Sequence, residues 1–345
     1  MSICIAGLGA AGLLLLHMCQ EANIPARDII CIDPYFDGGD LQRSWRFVVS
    51  NTPWSKLQKA MQALHPTWKD RTDYDPAKTT ELYEVIRVIR DSIQAYLHKT
   101  RLIHGTLKSA KYSGGSWKIE CGDLSIETKL LFLCTGSEPR RMKLPIPEIP
   151  LSIALHKDSL KTLIHSTNHV IVVGTKHSGC LVLENLRISG CRVSAFYNTK
   201  EPFSYARDGD YDGIKEDAAS IADQIKEGKH PLLELVQMTE FEKTSRAIRS
   251  ADWIIYCIGF ERDDTIHIYN ENEKVDLSKY DSETGKIGPS AWGFGIGFPN
   301  RSKYDGVPGK IFYDVSVLAF TEHILNQKDE ILKVYGEKGN RTSFS

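Results

Sequence analysis

Three glycines near the start of the chain have the types and spacing of a turn that binds phosphate. Gly7, Gly9 and Gly12 form the pattern Gly-x-Gly-x-x-Gly directly after the short apolar run 3–6. Gly7 would permit a tight turn, Gly9 would let the backbone approach a pyrophosphate, and Gly12 would let the following helix pack closely on the strand. The pattern therefore predicts the strand, turn and helix of a dinucleotide-binding unit.

Two further features complete this unit. Ala10 and Ala11 begin the predicted helix, so the free N–H groups of its N-terminus would face the phosphates. Asp33 ends the next apolar run, 29–33, where an acid is expected to accept hydrogen bonds from a ribose 2′-OH. The glycine pattern alone is weak, but both strands and the acid in register make it specific for a dinucleotide.

A second, weaker copy of the pattern follows in the middle of the chain. The predicted strand 169–173 leads to Gly174, and Ser178 and Gly179 lie farther along the predicted turn. Lys176 stands where the second glycine would be. The layout predicts a second nucleotide-binding unit and an approximate internal duplication. Lys176 would either contact a phosphate as a point charge or block the site.

The second unit lacks an acid at the end of its outer strand. Asn198 and Lys200 lie near the position that corresponds to Asp33. A site without a carboxylate there suits a 2′-phosphate better than a bare 2′-OH. The second site is therefore predicted to prefer NADP over NAD.

Several loops are expected at the same sheet edge as the first turn. Gly38 to Leu41 follow Asp33 closely, and such a loop can bring backbone N–H groups near a ligand. The predicted buried strand in 129–134 ends at the turn Thr135-Gly136, and Gly297 lies in the glycine-rich stretch 292–299. For the loop after Asp33, ordinary turn chemistry is the alternative explanation.

Composition excludes several classes of function. The chain has 345 residues, 41% hydrophobic content, 25% charged content and a net charge of −1, so nothing favours nucleic acid or an anionic membrane. Its eight cysteines include no Cys-x-x-Cys, which excludes a redox-active pair and a zinc knuckle. No metal site is expected, since the acidic loop 208–213 does not fit an EF-hand. The chain is predicted to be cytoplasmic and reduced.

The apolar start of the chain is not expected to be a targeting or membrane segment. Residues 3–18 are almost wholly apolar, but the first Lys or Arg is Arg27. Three glycines also interrupt the run at the spacing of the dinucleotide pattern. A signal peptide and a membrane helix are therefore both rejected.

The remaining patterns predict how the chain is divided. Helical periodicity covers 55–66 and 78–98, and short strands across 101–127 predict a small antiparallel meander with a hairpin turn at 113–116. Prolines at 139, 145, 147 and 150 form a stiff connector. The predicted fold is α/β, with two Rossmann-like three-layer domains and the meander. Residues 1–137 and 260–345 form the first domain, and 138–259 form an inserted second domain.

Together these motifs resemble two-dinucleotide-binding-domain flavoproteins, nearest to the flavin-containing monooxygenases and their N-hydroxylating relatives. The matching motifs occur in family order and span nearly the whole chain: Gly7-x-Gly9-x-x-Gly12 with Asp33, Gly38-Gly39-Asp40-Leu41 with Trp45, Asn51-Thr52-Pro53, Cys134-Thr135-Gly136, Gly174-x-x-x-Ser178-Gly179 and Cys257-Ile258-Gly259-Phe260.

The resemblance implies a role for each motif. FAD would occupy the first domain, with its pyrophosphate at Gly7–Gly12 and its adenosine ribose at Asp33. Other residues implied to line the FAD site are Gly39, Asp40, Leu41, Trp45, Thr135, Gly136 and Gly297. Asn51 matches the family's asparagine beside the flavin and would be the catalytic residue. NADPH would be held in the second domain by Gly174, Lys176, Ser178, Gly179 and Lys200.

The resemblance also implies a reaction. The chain would be an FAD-dependent, NADPH-using monooxygenase that oxygenates nitrogen or sulfur of a small-molecule substrate through a C4a-peroxyflavin. One alternative is a flavin reductase that inserts no oxygen. A second is a non-catalytic FAD-binding protein whose NADP site is degenerate. The oligomeric state is not predicted.

Overall fold

The computed structural model describes residues 2–50, 52–70, 72–203, 205–207, 210–211, 214, 216–303 and 311–340. The chain divides into two compact units. Unit 1 comprises Met1–Ser137, Arg262–Tyr304 and Gly309–Ser345, and unit 2 comprises Glu138–Glu261 and Asp305–Pro308. The first glycine pattern belongs to unit 1, and the second pattern belongs to unit 2.

The helices of the described residues are, in chain order, α1 (Ala10–Glu21), α2 (Asp40–Arg43), α3 (Trp54–Leu64), α4 (Leu82–Leu97), α5 (Leu151–Ala154), α6 (Lys157–Leu163), α7 (His177–Ser189), α8 (Glu216–Lys226), α9 (Phe241–Ser250) and α10 (Val317–Asn340). The strands are β1 (Ile3–Ala6), β2 (Ile29–Asp33), β3 (Arg101–His104), β4 (Ser109–Ser113), β5 (Ser116–Cys121), β6 (Leu124–Thr128), β7 (Leu130–Leu133), β8 (Glu138–Pro139), β9 (His169–Val173), β10 (Arg192–Tyr197), β11 (Tyr205–Arg207), β12 (Asp210–Tyr211), β13 (Leu233–Gln237), β14 (Trp253–Tyr256), β15 (Phe260–Glu261), β16 (His267–Asn270), β17 (Glu273–Lys274), β18 (Lys286–Gly288), β19 (Ala291–Gly293), β20 (Asn300–Lys303) and β21 (Ile311–Asp314).

A six-stranded sheet in the order β18-β19-β7-β1-β2-β3 organises unit 1. The strands from β19 to β3 pair in parallel with their neighbours, and the edge strand β18 is antiparallel to β19. In a parallel sheet the carboxyl ends of the strands meet at one edge, where ligands bind in this type of fold. The loops after β1, β2, β7 and β19 therefore share the carboxyl edge of unit 1.

The two faces of this sheet are covered by different layers. Ile3 and Ile5 of β1 belong to a buried cluster with residues of α1 and α4. Cys4 and Ala6 point the other way and share a buried cluster with Trp117 of β5. This alternation follows from the two-residue period of a strand. Helices, a parallel sheet and a second sheet give unit 1 the predicted three layers.

The second sheet contains the predicted meander, with one correction. Its order is β17-β16-β4-β5-β6, with β4, β5 and β6 antiparallel in sequence and β16 parallel to β4. Gly114 and Gly115 form the predicted hairpin turn, with φ of 60° and 84°. The prediction was wrong for 101–105, because β3 pairs in parallel with β2. The helix α4 precedes β3, and a strand–helix–strand connection is how parallel strands are joined.

Unit 2 repeats the basic plan on a smaller scale. The strands of its four-stranded sheet are all parallel, in the order β13-β10-β9-β14. The succession β9, α7 and β10 corresponds to β1, α1 and β2 of unit 1. Every residue of β9 is buried, which explains why its residues 170–173 are all apolar. The predicted second Rossmann-like unit is confirmed.

Some further observations concern membranes, metals and thiols. Within the described ranges, no helix is long and apolar enough to cross a membrane. The same part of the chain contains no cluster of His, Cys, Asp or Glu that could hold a metal ion. All eight cysteines are buried and free. The acidic loop 208–213 lies mostly outside the described residues.

Candidate dinucleotide sites

The first and third glycines of unit 1 are required by the fold itself. Gly7 has a φ of +91°, and a Cβ atom built on it would lie 2.3 Å from the carbonyl oxygen of Cys134. A Cβ on Gly12 would lie 2.1 Å from the carbonyl oxygen of Gly7. Neither distance is possible for a real side chain, so these two glycines allow β1, β7 and α1 to pack together.

Gly9 has a different reason to be glycine. Its φ is −72°, which any residue adopts. A Cβ built on it would meet only the carbonyl oxygen of Gly38, at 3.9 Å, which is an ordinary contact. The described protein atoms therefore leave the front of Gly9 open. The fold would tolerate a side chain at position 9, but close approach of a pyrophosphate would not, so a ligand explains the glycine better than packing does.

The helix that starts behind Gly9 is available for an anion. Gly9 is the N-cap of α1 and forms no side-chain capping bond, and no acid lies in the first turn. Ala10 and Ala11 are the first two helical residues. The leading N–H groups of a helix lack partners within it and carry the positive end of its dipole. Ala10 and Ala11 therefore lie where the sequence predicted a phosphate contact.

Asp33 fixes the turn as well as ending β2. It is buried, and its Oδ2 accepts a hydrogen bond of 2.7 Å from the backbone N–H of Leu8. Its Oδ1 accepts bonds of 2.8 Å from the N–H groups of Tyr35 and Phe36. A carboxylate has about four acceptor positions, so one remains for a ligand hydroxyl. The ribose contact of Asp33 stays a prediction.

The loop after Asp33 closes against the first turn. Gly39 is the N-cap of α2 with a φ of +72°, and a Cβ on it would lie 2.9 Å from the Cα of Gly9. Asp40 begins α2, and its Oδ2 is 3.8 Å from where Gly136 would carry a Cβ. Leu41 packs on the core of unit 1. The backbone N–H of Trp45 donates to the carbonyl of Asp40.

Two more glycine loops complete this arrangement. Gly136 has a φ of +73°, and a Cβ on Gly297 would lie 2.4 Å from the carbonyl oxygen of Gly136. A Cβ on Gly295 would lie 2.8 Å from the Cβ of Ala11. We call the residues 7–12, 38–41, 135–136 and 295–297 the glycine cradle. The cradle brings the predicted FAD residues together, apart from Asp33 and Trp45, which border it, and Asn51, which lies outside the described residues.

Polar atoms beside the cradle are available for a ligand. The hydroxyls of Thr135 and Ser137 are buried, and neither has a hydrogen-bond partner among the described residues. Gln42 Oε1, on α2, is in the same condition. Buried polar groups are nearly always hydrogen-bonded in folded proteins. An open position at Gly9, an uncapped helix N-terminus and unsatisfied hydroxyls together fit a bound dinucleotide.

The turn of unit 2 reproduces the backbone of the first turn. Gly174 has a φ of +98°, and a Cβ on it would lie 2.4 Å from the carbonyl oxygen of Cys257. A Cβ on Gly179 would lie 2.2 Å from the carbonyl oxygen of Gly174. Lys176 has φ −82° and ψ −160°, close to the −72° and −164° of Gly9. Ser178 lies in the first turn of α7.

The position of the missing acid is now defined. The N–H of Gly174 donates to the carbonyl of Phe196, as the N–H of Gly7 donates to the carbonyl of Ile32. Tyr197 therefore occupies the place of Asp33, whereas the sequence pattern had indicated the neighbourhood of Asn198 and Lys200. Lys200 and Lys176 are both exposed.

Sequence reasoning missed two residues at the cradle of unit 1. Gly295 lies against Ala11 of α1. In the sequence, only its place in a glycine-rich loop indicates such a contact. Arg262 donates from Nη1 to the carbonyl of Gly297 over 3.0 Å. The available signal was its position just after the motif Cys257-Ile258-Gly259-Phe260.

The thiols at the two turns are not reactive. Burial raises the pKa of Cys134, which follows β7, and of Cys257, which follows β14. Burial also raises the pKa of Cys180 to about 12. The thiolate is the form that attacks disulfides, so these cysteines do not support thiol–disulfide chemistry at neutral pH.

No protein-family model matches the chain. The monooxygenase AgnR1 of Paecilomyces divaricatus is 26% identical over an alignment 355 residues long. The alignment covers 86% of this chain and 90% of AgnR1.

Three solved structures illustrate the likeness in fold. The flavin-containing monooxygenase from Stenotrophomonas maltophilia has a TM-score of 0.64 at 14% identity, and the match covers 97% of this chain and 98% of that chain. OTEMO in complex with FAD and NADP has a TM-score of 0.64 at 13% identity, covering 99% and 86%. The bacillithiol disulfide reductase Bdr from Staphylococcus aureus has a TM-score of 0.61 at 14% identity, covering 96% and 98%.

These likenesses show the fold. The chain has the fold of the flavin-containing monooxygenase and of the bacillithiol disulfide reductase. The predicted fold class and the predicted resemblance are confirmed at that level. The proteins that the chain resembles are oxidoreductases, and monooxygenases are prominent among them.

Proposed function

We propose that the chain is an FAD-dependent monooxygenase that uses NADPH. The observation that carries this proposal is the glycine cradle of unit 1, with its open position at Gly9 and the uncapped N-terminus of α1. The sequence likeness to the monooxygenase AgnR1 supports the type of reaction. The likeness in fold to OTEMO, whose structure holds FAD and NADP, supports the pair of cofactors.

In this proposal the cradle binds FAD. Ala10 and Ala11 offer backbone N–H groups to the pyrophosphate, and Asp33 accepts from the adenosine ribose. Thr135 and Ser137 supply hydroxyls that the described residues leave unsatisfied. Asn51, the predicted catalytic residue, would hydrogen-bond beside the flavin. When bound, FAD would supply the chemistry that transfers one oxygen atom of O₂ to nitrogen or sulfur of a small substrate, with NADPH as the electron donor and the second oxygen atom leaving as water.

The turn of unit 2 is proposed to bind NADPH. The α7 N-terminus behind Lys176 has the same backbone geometry as the α1 N-terminus. Lys176 would meet a phosphate as a point charge, together with the hydroxyl of Ser178. Lys200 would add positive charge near the 2′-phosphate. The absence of a carboxylate at Tyr197, the position of Asp33, removes the group that would repel that phosphate.

The buried thiols favour oxygen insertion over disulfide reduction. The chain shares its fold with reductases as well as monooxygenases. A disulfide reductase needs an accessible cysteine, and all eight cysteines here are buried and free. Free, buried thiols also support the predicted cytoplasmic compartment.

Rapid mixing tests the reaction directly. FAD-loaded protein is reduced anaerobically with NADPH and then mixed with oxygenated buffer, and the visible spectrum of the flavin is followed. A monooxygenase shows an absorbing intermediate that is distinct from both the oxidised and the reduced flavin. Direct return to the oxidised spectrum identifies the reductase instead. A protein that holds FAD but never bleaches with NADPH is a non-catalytic flavoprotein.

A further inference from the structure

An arginine that has no role assigned so far lies beside the glycine cradle. Arg262 Nη1 donates to the carbonyl oxygen of Gly297 over 3.0 Å. Its guanidinium lies 4.6 Å from the ring centroid of Phe298 and 5.8 Å from that of Tyr280. The side chain is half-buried, and its Cγ is 3.7 Å from where Gly297 would carry a Cβ. The guanidinium is therefore held in place next to the cradle.

The charge of Arg262 has no counterion in the described part of unit 1. No carboxylate oxygen there forms an ion pair with it, and its Nε is buried without a hydrogen-bond partner. Burial lowers the pKa of this guanidinium, and Asp264, Tyr280 and Asp276 oppose that shift only through longer-range attraction. Asp276 is itself engaged by Ser278.

A partly desolvated charge without a partner is costly, and a bound anion would offset that cost. Arginine is suited to this role because it stays charged when buried and presents several donors in a fixed plane. The free Nε of Arg262 is one of these donors. The position of Arg262 along the cradle decides whether this anion is the pyrophosphate or the reduced flavin ring.

Strand order places Arg262 at one end of the site. Along the carboxyl edge the order is β2, β1, β7 and β19. In the proposed function the adenosine end of FAD lies at β2 and the pyrophosphate lies at β1. Gly297, to which Arg262 is bonded, follows β19. Three strand spacings of about 4.8 Å separate β2 from β19, so Arg262 stands on the flavin side of the pyrophosphate.

We propose that Arg262 contacts the flavin ring of bound FAD and stabilises the negative charge that the ring acquires on reduction. This inference rests on the proposed function. Hydride transfer moves two electrons and one proton from NADPH to the flavin, and NADPH leaves as NADP⁺. The flavin then carries one more negative charge than before. A fixed positive charge at the ring favours the reduced form over the oxidised form.

The reduction potential of the bound flavin tests this role without any turnover. Arg262→Met removes the charge while keeping a long apolar side chain, and Arg262→Lys keeps the charge but not the planar fork. We expect Arg262→Met to weaken the binding of reduced FAD tenfold relative to oxidised FAD, which lowers a two-electron potential by about 30 mV. Arg262→Lys should recover part of that loss.

A matched control is available in the same unit. Arg101 is exposed and is the first residue of β3, so it lies at the opposite, amino edge of the same sheet. Arg101→Met should leave the potential unchanged. Should Arg262→Met fail to fold, Arg262→Gln, which keeps a donor for the Gly297 carbonyl, carries the same test.

Two results would overturn the inference. Weaker binding of oxidised FAD with an unchanged potential would mean that Arg262 holds the pyrophosphate. An unchanged potential and unchanged affinity would mean that Arg262 only supports the loop at Gly297. A wild-type protein that binds no FAD would instead defeat the proposed function, so the two failures are distinguishable.

Discussion

The two glycine turns of this chain have the same backbone but differ at their middle position. A Cβ built on the first glycine would lie 2.3 Å from the nearest carbonyl oxygen in unit 1 and 2.4 Å in unit 2. For a Cβ built on the third glycine, the corresponding distances are 2.1 Å and 2.2 Å. At the middle position unit 1 has Gly9, with open space in front of it, and unit 2 has the exposed Lys176.

This difference shows that the glycines of the pattern have two separate functions, which are packing of the fold and access for a ligand. The first and third glycines are required so that strand and helix can pack, whether or not a ligand binds. The middle glycine is compatible with any residue in backbone terms, as Lys176 demonstrates with nearly the same φ and ψ. It is therefore the position at which the ligand, and not the fold, selects the residue.

The largest effect is expected at the first glycine of either turn. Gly7→Ala puts a methyl group against the backbone of Cys134 at a positive φ, and should lower the free energy of unfolding by about 3 kcal/mol. Gly174→Ala should do the same in unit 2. Urea unfolding of the apoprotein measures both. Gly114→Ala is the control, since its turn has nothing within 4 Å, and it should cost only about 1 kcal/mol. Equal losses at Gly7 and Gly114 would remove the packing explanation.

The middle glycine should show the opposite behaviour. Gly9→Lys copies the residue of unit 2 into unit 1 and should change the free energy of unfolding by less than about 1 kcal/mol. The FAD dissociation constant should rise about 100-fold, or about 2.7 kcal/mol, because the side chain would fill the position proposed for the pyrophosphate. Fluorescence titration of the apoprotein with FAD measures the affinity. Normal FAD binding by this variant would show that the open space at Gly9 is not used.

The reciprocal change in unit 2 decides what Lys176 does. If Lys176 contacts a phosphate, Lys176→Met should raise the NADPH dissociation constant about tenfold, or about 1.4 kcal/mol. The loss should shrink as salt concentration rises, since the contact is electrostatic. Lys176→Gly should not recover it. Tighter NADPH binding in the glycine variant would instead identify Lys176 as a block.

The smallest effect, counted per pH unit, is expected when the solution is acidified. Burial lowers the pKa of His323 in unit 1 from 6.5 to about 4, and its Nε2 has no partner among the described residues. His169 of unit 2, in contrast, is hydrogen-bonded at both ring nitrogens. The unfolded chain takes up a proton on His323 near pH 6.5, while the folded chain does so only near pH 4. Stability should fall as pH drops through this window and be unaffected above it.

The acid effect of His323 should be about 1 kcal/mol per pH unit. Replacing the imidazole in His323→Gln should flatten the pH dependence of urea unfolding by that amount between pH 6.5 and 5. His17, whose pKa burial also lowers to about 4, remains in this variant and should preserve part of the slope. An unchanged slope would contradict a buried, neutral His323.

The sequence predicted the elements that have local signals. Glycine spacing, apolar runs and the Asp33 carboxylate were enough to predict β1, α1, β2 and their counterparts in unit 2. The pairing of β3 with β2 was not predicted, because a short half-buried strand such as Arg101–His104 fits either sheet by its own pattern. Only the helix before it decides the outcome.

The sequence predicted which glycines form the cradle, but it did not predict how they contact each other. Gly39, Gly136 and Gly297 were expected near one edge, yet their contacts with each other depend on loops separated by many residues. Arg262 had no pattern of its own, since an isolated arginine after a strand is common. Only the structure shows that its guanidinium lacks a counterion among the described residues of unit 1 and donates to the carbonyl of Gly297.

Anaerobic mixing of the FAD-loaded protein with NADPH tests the central claim most directly, because it requires both turns to work. We predict that the visible absorbance of the oxidised flavin disappears, and that Gly9→Lys, which loses FAD, and Lys176→Met, at limiting NADPH, each diminish the signal. An FAD-loaded protein that keeps its oxidised spectrum at millimolar NADPH would contradict the proposal that the chain transfers hydride from NADPH to FAD.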